Sequence, residues 1–359
     1  MIAVKIVRPI YIRKGPGRSF DYLAPIYPSG KDIIMDGIEK GESWKGIDDW
    51  YFKINDKGEK QRYWAGGVSG SAADLIAKVQ LPNAQQYIND HYSNGKLTGT
   101  LDYNYLLNLD ENIKSTQGKG VKVVILDSPV SKNIAFRNPV RRPMNVDHPA
   151  DDHGSFIAGI IAGYSNIIGI ASNVEIIELP IKDQNGAGPD FLVLQAFEYL
   201  KSTEELMIVN ISYDLGIKYA DLFNGLRNKI IVAAAGSNKA LQDQTIIFPA
   251  SLPDVISVGC ISKEYAALIS NTSLNNRLDF ILPDFNYASF SLENNGFGND
   301  NGDSYSCAIV SSAIALLLSA GKITRDMNLN EVRQQVAGIS MSWFDKDKFD
   351  ILNIITPKS

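Results

Sequence analysis

The chain is poor in residues that bind metals or carry thiol chemistry. Its 359 residues include two cysteines, Cys260 and Cys307, and three histidines, His91, His148 and His153. Two cysteines cannot build a disulfide framework or a cysteine-rich zinc site. Both lie in apolar runs, so both are expected as buried small hydrophobes, with no pairing indicated. No apolar run is long enough to span a bilayer as a helix. Basic residues are not in excess: 35 Lys and Arg stand against 40 Asp and Glu, a formal net charge of -5. Neither nucleic acid nor an anionic membrane is therefore expected as a partner. Repeats and low-complexity tracts are also missing, which excludes solenoids and arrays. The first nine residues lack the apolar core of a signal peptide. As written the chain is expected in the cytoplasm, or outside the cell where a leader has been removed. What is present is ordinary for a globular protein, with 45% hydrophobic and 21% charged residues. The length exceeds that of one compact domain, so two units are expected.

Three stretches carry chemistry. The first is Gly118-Lys119-Gly120 followed by Val121–Leu126, an apolar, β-rich run that ends on Asp127. A strand apolar throughout is buried on both faces, as in a parallel sheet, and Asp127 falls at its C-terminal end, where open α/β sheets place their sites. The second is Asp152-His153-Gly154-Ser155, just before the run Phe156–Ala162. That run reads as a buried helix whose glycine and alanine allow close packing, with His153 at its mouth. The third is Gly302-Asp303-Ser304, a turn before a second buried helix that includes Ile314–Leu318. The turn exposes the Ser304 hydroxyl, and the helix amides favour developing negative charge there. Taken singly, each is ordinary: a strand-end acid, a surface histidine, a helix-capping serine. Together they give an acid, a base and a nucleophile in the order Asp…His…Ser, one of the orders in which a catalytic triad occurs.

The chain resembles the subtilisin-like (subtilase, S8 family) serine proteases. The resemblance rests on Val-Val-Ile-Leu-Asp-Ser at 123–128, His-Gly-Ser-Phe-Ile-Ala-Gly at 153–159 and Gly-Asp-Ser-Tyr-Ser-Cys-Ala at 302–308. It implies an α/β fold, a subtilisin-like three-layer sandwich around a mostly parallel sheet. It implies that Ser304 attacks a peptide carbonyl, His153 takes and returns the proton, and Asp127 holds the imidazole. An oxyanion donor is implied after Ala234-Ala235-Gly236; Asn238 is preferred and Ser237 is the alternative. Substrate is implied to lie extended between Gly186-Ala187-Gly188 and Ser212-Tyr213-Asp214, beside Ala235 and Gly236. Asp214, where the family has an apolar residue, either favours a basic side chain at P1 or points to solvent. No metal site and no cofactor are expected; Asp183 and Asp190 read as solvated loop charges. The chain departs from the family at Asp303, where threonine is usual, and at Ala308, where proline is usual. Asp303 is expected to raise the pKa of His153 or to disturb the turn. Nothing matches an inhibitory propeptide.

Ahead of these motifs, residues 1–70 read as short strands between turns at Lys14–Gly17, Pro28–Gly30 and Asp56–Gly58. Trp50–Ile54 and Arg62–Trp64 read as a hairpin, and the aromatics as the core of a small barrel. The pattern resembles a bacterial SH3-like domain, through Arg13 with Gly15-Pro16, Glu39-Lys40-Gly41, Trp50-Tyr51 and Trp64–Val68. Residues 71–102 read as a helical connector with a helix over 83–92, in which His91 is a plain helix residue; His148 reads as a surface residue. Residues 103–359 read as the catalytic domain, with helices over 191–201 and 220–228 and an N-cap at Asn328 answered by Glu331. The expected function is a serine endopeptidase acting on polypeptide, with an N-terminal module that targets or regulates it by binding cell-wall peptide or a protein. The alternative is a catalytically weak or inactive binding protein on the same scaffold, and a third reading is an esterase.

Overall fold

A computed structural model describes residues 82–338 except 107–108, 145, 147–150, 183–187, 237–245, 262–278, 284 and 293–295; before residue 82 it describes strands between Ile2 and Ser69. The chain divides into two units, one holding Met1–Gln80 and Ser262–Ser270 and the other Leu81–Ile261 and Asn271–Ser359.

The first unit contains β1 (Ile2–Ile6), β2 (Ile10–Arg13), β3 (Tyr22–Tyr27), β4 (Asp32–Met35), β5 (Gly37–Trp44), β6 (Ile47–Ile54), β7 (Lys60–Trp64) and β8 (Val68–Ser69). They form two antiparallel sheets, ordered β4-β1-β8 and β3-β2-β7-β6-β5. The expected hairpin is β6 with β7, which sets Trp50 opposite Trp64 and Tyr51 opposite Tyr63. Trp50 and Tyr63 are buried, so these aromatics serve as core. The three turn clusters lie outside the described residues.

The second unit opens with α1 (Pro82–His91). Residues 82–102, read from the sequence as connector, belong to this unit: the Leu101 amide donates to the Asn166 carbonyl at 2.8 Å, and Tyr92 Oη donates to the Phe297 carbonyl at 3.5 Å. His91 is a plain helix residue, with Nδ1 on the Tyr87 carbonyl at 2.8 Å. There follow, in order, β9 (Lys122–Asp127), α2 (Asp152–Ala162), β10 (Glu175–Pro180), α3 (Asp190–Ser202), β11 (Met207–Ile211), β12 (Lys229–Ala234), β13 (Ile256–Ile261), β14 (Phe280–Pro283), β15 (Tyr287–Phe290), β16 (Phe297–Asp300), α4 (Asp303–Ser319) and α5 (Leu329–Gly338).

Six of these strands make one sheet in the order β10-β9-β11-β12-β13-β14, and every neighbouring pair is parallel. Their uninterrupted apolar sequences are the cause. Val123–Asp127 and all of β11 are buried, which requires cover on both faces. The chain leaves β9 to build β10 on one side and then returns to build β11 on the other. Such a reversal opens a crevice at the C-terminal strand ends. Asp127 ends β9, Ser212 follows β11, and Gly236 lies two residues past β12.

α4 lies across β11, β12 and β13, and α2 packs against β9, α4 and β15. The small residues of α2 permit the last contact: a Cβ on Gly159 would stand 2.2 Å from Ser289 Oγ and 2.7 Å from Phe290 Cδ2. Neither cysteine is in a disulfide, and both are buried. α5 carries the expected capping box, with Asn328 Oδ1 accepting from the Asn330 and Glu331 amides and Glu331 accepting from the Asn328 amide. The polar helix expected over 220–228 is instead a short 3₁₀ turn, Ile217–Phe223. Gly225 stops it, with a positive φ of 77° that no helix continues through. Among the described residues no helix is long and apolar enough to cross a membrane.

Candidate active site

Asp127, fully buried, ends β9, and its Oδ1 accepts from the Ser128 amide at 2.7 Å and from His153 Nδ1 at 2.8 Å. His153 is the second residue of α2. Asp151 caps that helix, its Oδ1 accepting from the His153 amide at 2.9 Å. Ser128 joins the two elements: its hydroxyl donates to Asp151 Oδ1 and accepts from the Gly154 amide. A Cβ on Gly154 would stand 2.2 Å from the Ser128 carbonyl oxygen, so glycine lets the helix start meet the strand end. The acid and the histidine are thus held by a clamp through Ser128, Asp151 and Gly154 as well as by their own bond.

With Nδ1–H donated to Asp127, the imidazole lone pair is on Nε2, the atom that can take a proton. Burial alone would push the Asp127 carboxyl up, but His153, Lys182 and the Ser128 amide outweigh it and hold the carboxyl below its usual range. Burial alone would lower His153, but Asp127 outweighs it and raises the imidazole above its ordinary value, with Lys182 opposing and Asp151 adding.

Ser304 is the second residue of α4 and is partly exposed. Gly302 precedes the helix at φ 137°, a left-handed angle that suits glycine. Ser304 is docked on the end of β11: Ser212 Oγ donates to the Ser304 carbonyl at 3.0 Å, and Ser304 Oγ donates to the Ser212 carbonyl at 3.5 Å. Its neighbour Tyr305 stacks on Phe156 of α2, with ring centroids 4.5 Å apart, and its ring lies 6.0 Å from that of His153. Packing of α2 on α4 therefore brings the histidine and serine elements together. Among the described hydrogen bonds none joins Ser304 Oγ to His153; the hydroxyl faces Ser212. Such bonds often tighten when substrate binds.

Behind Ser212 runs a buried polar chain. Asn210 Nδ2 donates to Ser212 Oγ at 3.2 Å, and Asn210 Oδ1 accepts from Ser311 Oγ at 2.9 Å and from the Cys307 thiol at 3.3 Å. Burial pushes the Cys307 thiol well up, so it stays a donor.

Asp303 does something the sequence did not suggest. It is buried, and its Oδ2 accepts from the Gly236 amide, tying the start of α4 to the loop after β12. The turn is held by this carboxylate rather than disturbed. The charges that act on His153 are those of Asp127, Lys182 and Asp151.

Of the expected substrate residues, Gly188 lies beside Tyr213, whose Cε1 would be 3.7 Å from a Cβ there. Ser212 is buried beneath Ser304, and Ala235 is buried with its amide on the Val258 carbonyl at 2.8 Å. Asp214 is exposed, and its Oδ1 accepts from the Gly216 amide at 2.9 Å. Asp190, the first residue of α3, is exposed and paired with Lys218 at 2.7 Å. Gly186, Ala187, Asn238, Ser237, Asp183 and His148 lie outside the described residues. Among the described residues no three His, Cys, Asp or Glu side chains cluster as metal ligands would. Sequence reasoning missed Asp151, Asn210 and Lys182. An acid two residues before a helical histidine is an N-cap signal, and a lone asparagine inside Ile208–Ile211 is a polar residue in an apolar strand; either could have been found.

Residues 118–337 match the family model Peptidase S8, subtilase family. Subtilisin-like protease 3 of Pseudogymnoascus destructans is 29% identical over 214 residues, 55% of this chain and 49% of that protein. Subtilisin NAT of Bacillus subtilis subsp. natto is 26% identical over 218 residues, 56% of each chain. Subtilisin of Bacillus pumilus is 26% identical over 218 residues, 56% of this chain and 78% of that protein. The chain spans about half the length of the first two.

Proposed function

The chain belongs to the subtilase family, and from this we propose that it is a serine endopeptidase that cleaves polypeptides through an acyl-enzyme. The observation that carries the reading is the 2.8 Å bond from His153 Nδ1 to the buried carboxylate of Asp127, which leaves Nε2 as the base. Ser304 turns its hydroxyl from the Ser212 carbonyl to Nε2 and attacks the substrate carbonyl as His153 takes the proton. His153 then returns that proton to the leaving amine, with Asp127 stabilising the imidazolium meanwhile. The Ser304 amide at the start of α4 supplies one oxyanion donor, and Asn238, or Ser237, supplies the other; loss of one such donor costs roughly 10²–10³-fold in turnover, a figure measured in subtilisin. Substrate lies as an added strand between residues 186–188 and 212–214. The catalytic domain is residues 103–359. Residues 1–70 form a separate SH3-like module that binds cell-wall peptide or a protein; the antiparallel strands and buried Trp50 and Tyr63 support a small β module there.

The test is hydrolysis of an unfolded protein such as reduced casein by the full chain. Cleavage is expected, and Ser304→Ala is expected to bring it to background. Cleavage that survives Ser304→Ala would overturn the assignment.

A further inference from the structure

Lys182 stands two residues past the end of β10, on the strand that neighbours β9. The register is fixed by backbone: Pro180 lies opposite Asp127, and the Ile181 amide donates to the Asp127 carbonyl at 2.8 Å. Lys182 Nζ then lies 3.5 Å from Asp127 Oδ1, the same oxygen that holds His153, and 3.9 Å from Asp151 Oδ2. It also sits 4.8 Å from the centre of the Tyr213 ring. Its side chain is 11% exposed, and among the described residues the ammonium makes no hydrogen bond shorter than these ion-pair distances. Asp127 Oδ2 is buried with no hydrogen-bond partner. A nearly dry cation therefore stands against a carboxylate with one unsatisfied oxygen. In such a place a charge acts far more strongly than at a wet surface.

The groups facing the imidazole are Asp127 from β9, Asp151 from the cap of α2, Lys182 from beyond β10 and the Tyr305 ring from α4. The two acids favour the imidazolium. Lys182 opposes them.

We propose that Lys182 is a positioning residue of the proposed triad, which keeps Asp127 ionised and His153 as neutral imidazole, so that the base remains usable at lower pH than the Asp127–His153 pair alone would allow. The inference rests on the triad reading. The sign follows from charge. General-base action needs neutral His153, so activity falls as pH drops through the imidazole's pKa. Asp127 moves that midpoint up, and Lys182 moves it back down. Removing the ammonium while keeping an aliphatic stem therefore raises the midpoint, on the order of one pH unit at this burial. Activity at pH 6 then falls by nearly tenfold.

The experiment compares the full chain with Lys182→Met and Lys182→Arg. Histidine-selective NMR follows the imidazole titrations, and His153→Gln identifies the His153 signal among three. Rate against pH is followed with a chromogenic peptide. In Lys182→Met the His153 midpoint and the acid limb should rise together by about one unit, while Lys182→Arg keeps the parent midpoint. An unmoved His153 midpoint in folded Lys182→Met would overturn the proposal, as would a rise in Lys182→Arg equal to that in Lys182→Met. If Lys182→Met does not fold, Lys182→Gln is read by the same criteria. If no form cleaves peptide, the triad reading fails, and the NMR midpoint still decides the role of Lys182.

Discussion

Asp303 shows how much one side chain can change in a motif. Where the family has threonine, this chain has a buried carboxylate that accepts the Gly236 amide. Gly236 itself has a φ of 102°, so the loop after β12 takes a backbone shape that other residues resist, and the carboxylate fixes it. An acid in the first turn of α4 is also favoured by the helix dipole. Asp303→Ala would leave a buried amide unpaired and should destabilise the protein by roughly 1–3 kcal/mol. Asp303→Asn keeps an acceptor and should lose less. Denaturant unfolding of the two variants checks this; equal stability of Asp303→Ala and the parent would show that the bond contributes nothing. At this scale Asp127, His153 and Ser304 were legible as candidates because each sits at the end of an element with its own sequence signal. Lys182 was not, since its meaning comes from the β9–β10 register, and nothing in the residues near it reveals that pairing. Asp214 is exposed, and one of its carboxylate oxygens accepts the Gly216 amide.

At the scale of elements, the buried helices α2 and α4 do the positioning. α2 holds His153 at one end and meets β15 through Gly159, where Ser289 Oγ also donates to the Phe156 carbonyl at 2.7 Å. Gly159→Ala would put a methyl into the Ser289 hydroxyl and the Phe290 ring and should cost about 1–3 kcal/mol. The loss should appear in thermal unfolding; a variant as stable as the parent would mean that α2 can shift on β15. α4 is held by the Asn210 chain, whose three hydrogen bonds join Asn210 to Ser212, Cys307 and Ser311 inside the fold. The strands and both buried helices were legible because uninterrupted apolar runs leave them one environment. The 220–228 stretch was not, because its composition suits a helix while Gly225 ends the turn early. The boundary of α1 was legible to within a residue. Its membership of the second unit was not, since the segment after it is tied in by bonds to residues far along the chain, Leu101 to Asn166 and Tyr92 to Phe297.

At the scale of the molecule, the two units differ in kind: antiparallel sheets before residue 81, a parallel six-stranded sheet after it. The hydrogen bonds of the Asp127–His153 clamp and of the Ser304–Ser212 dock all lie within the second unit. A chain beginning at Leu81 should therefore fold cooperatively and keep the clamp. Equal peptide hydrolysis by the truncated and full chains is expected if the first unit is a targeting module; a truncated chain that cannot fold would show that the units share one core. The central claim is that Ser304 is a nucleophile activated by His153. A fluorophosphonate probe tests it most directly, because it labels a serine only when that serine is activated. Mass spectrometry of the labelled full chain should locate one adduct on Ser304, and Ser304→Ala and His153→Ala should both abolish it. An unlabelled chain, or an adduct on another residue, would contradict the account and favour a binding protein on a subtilase scaffold.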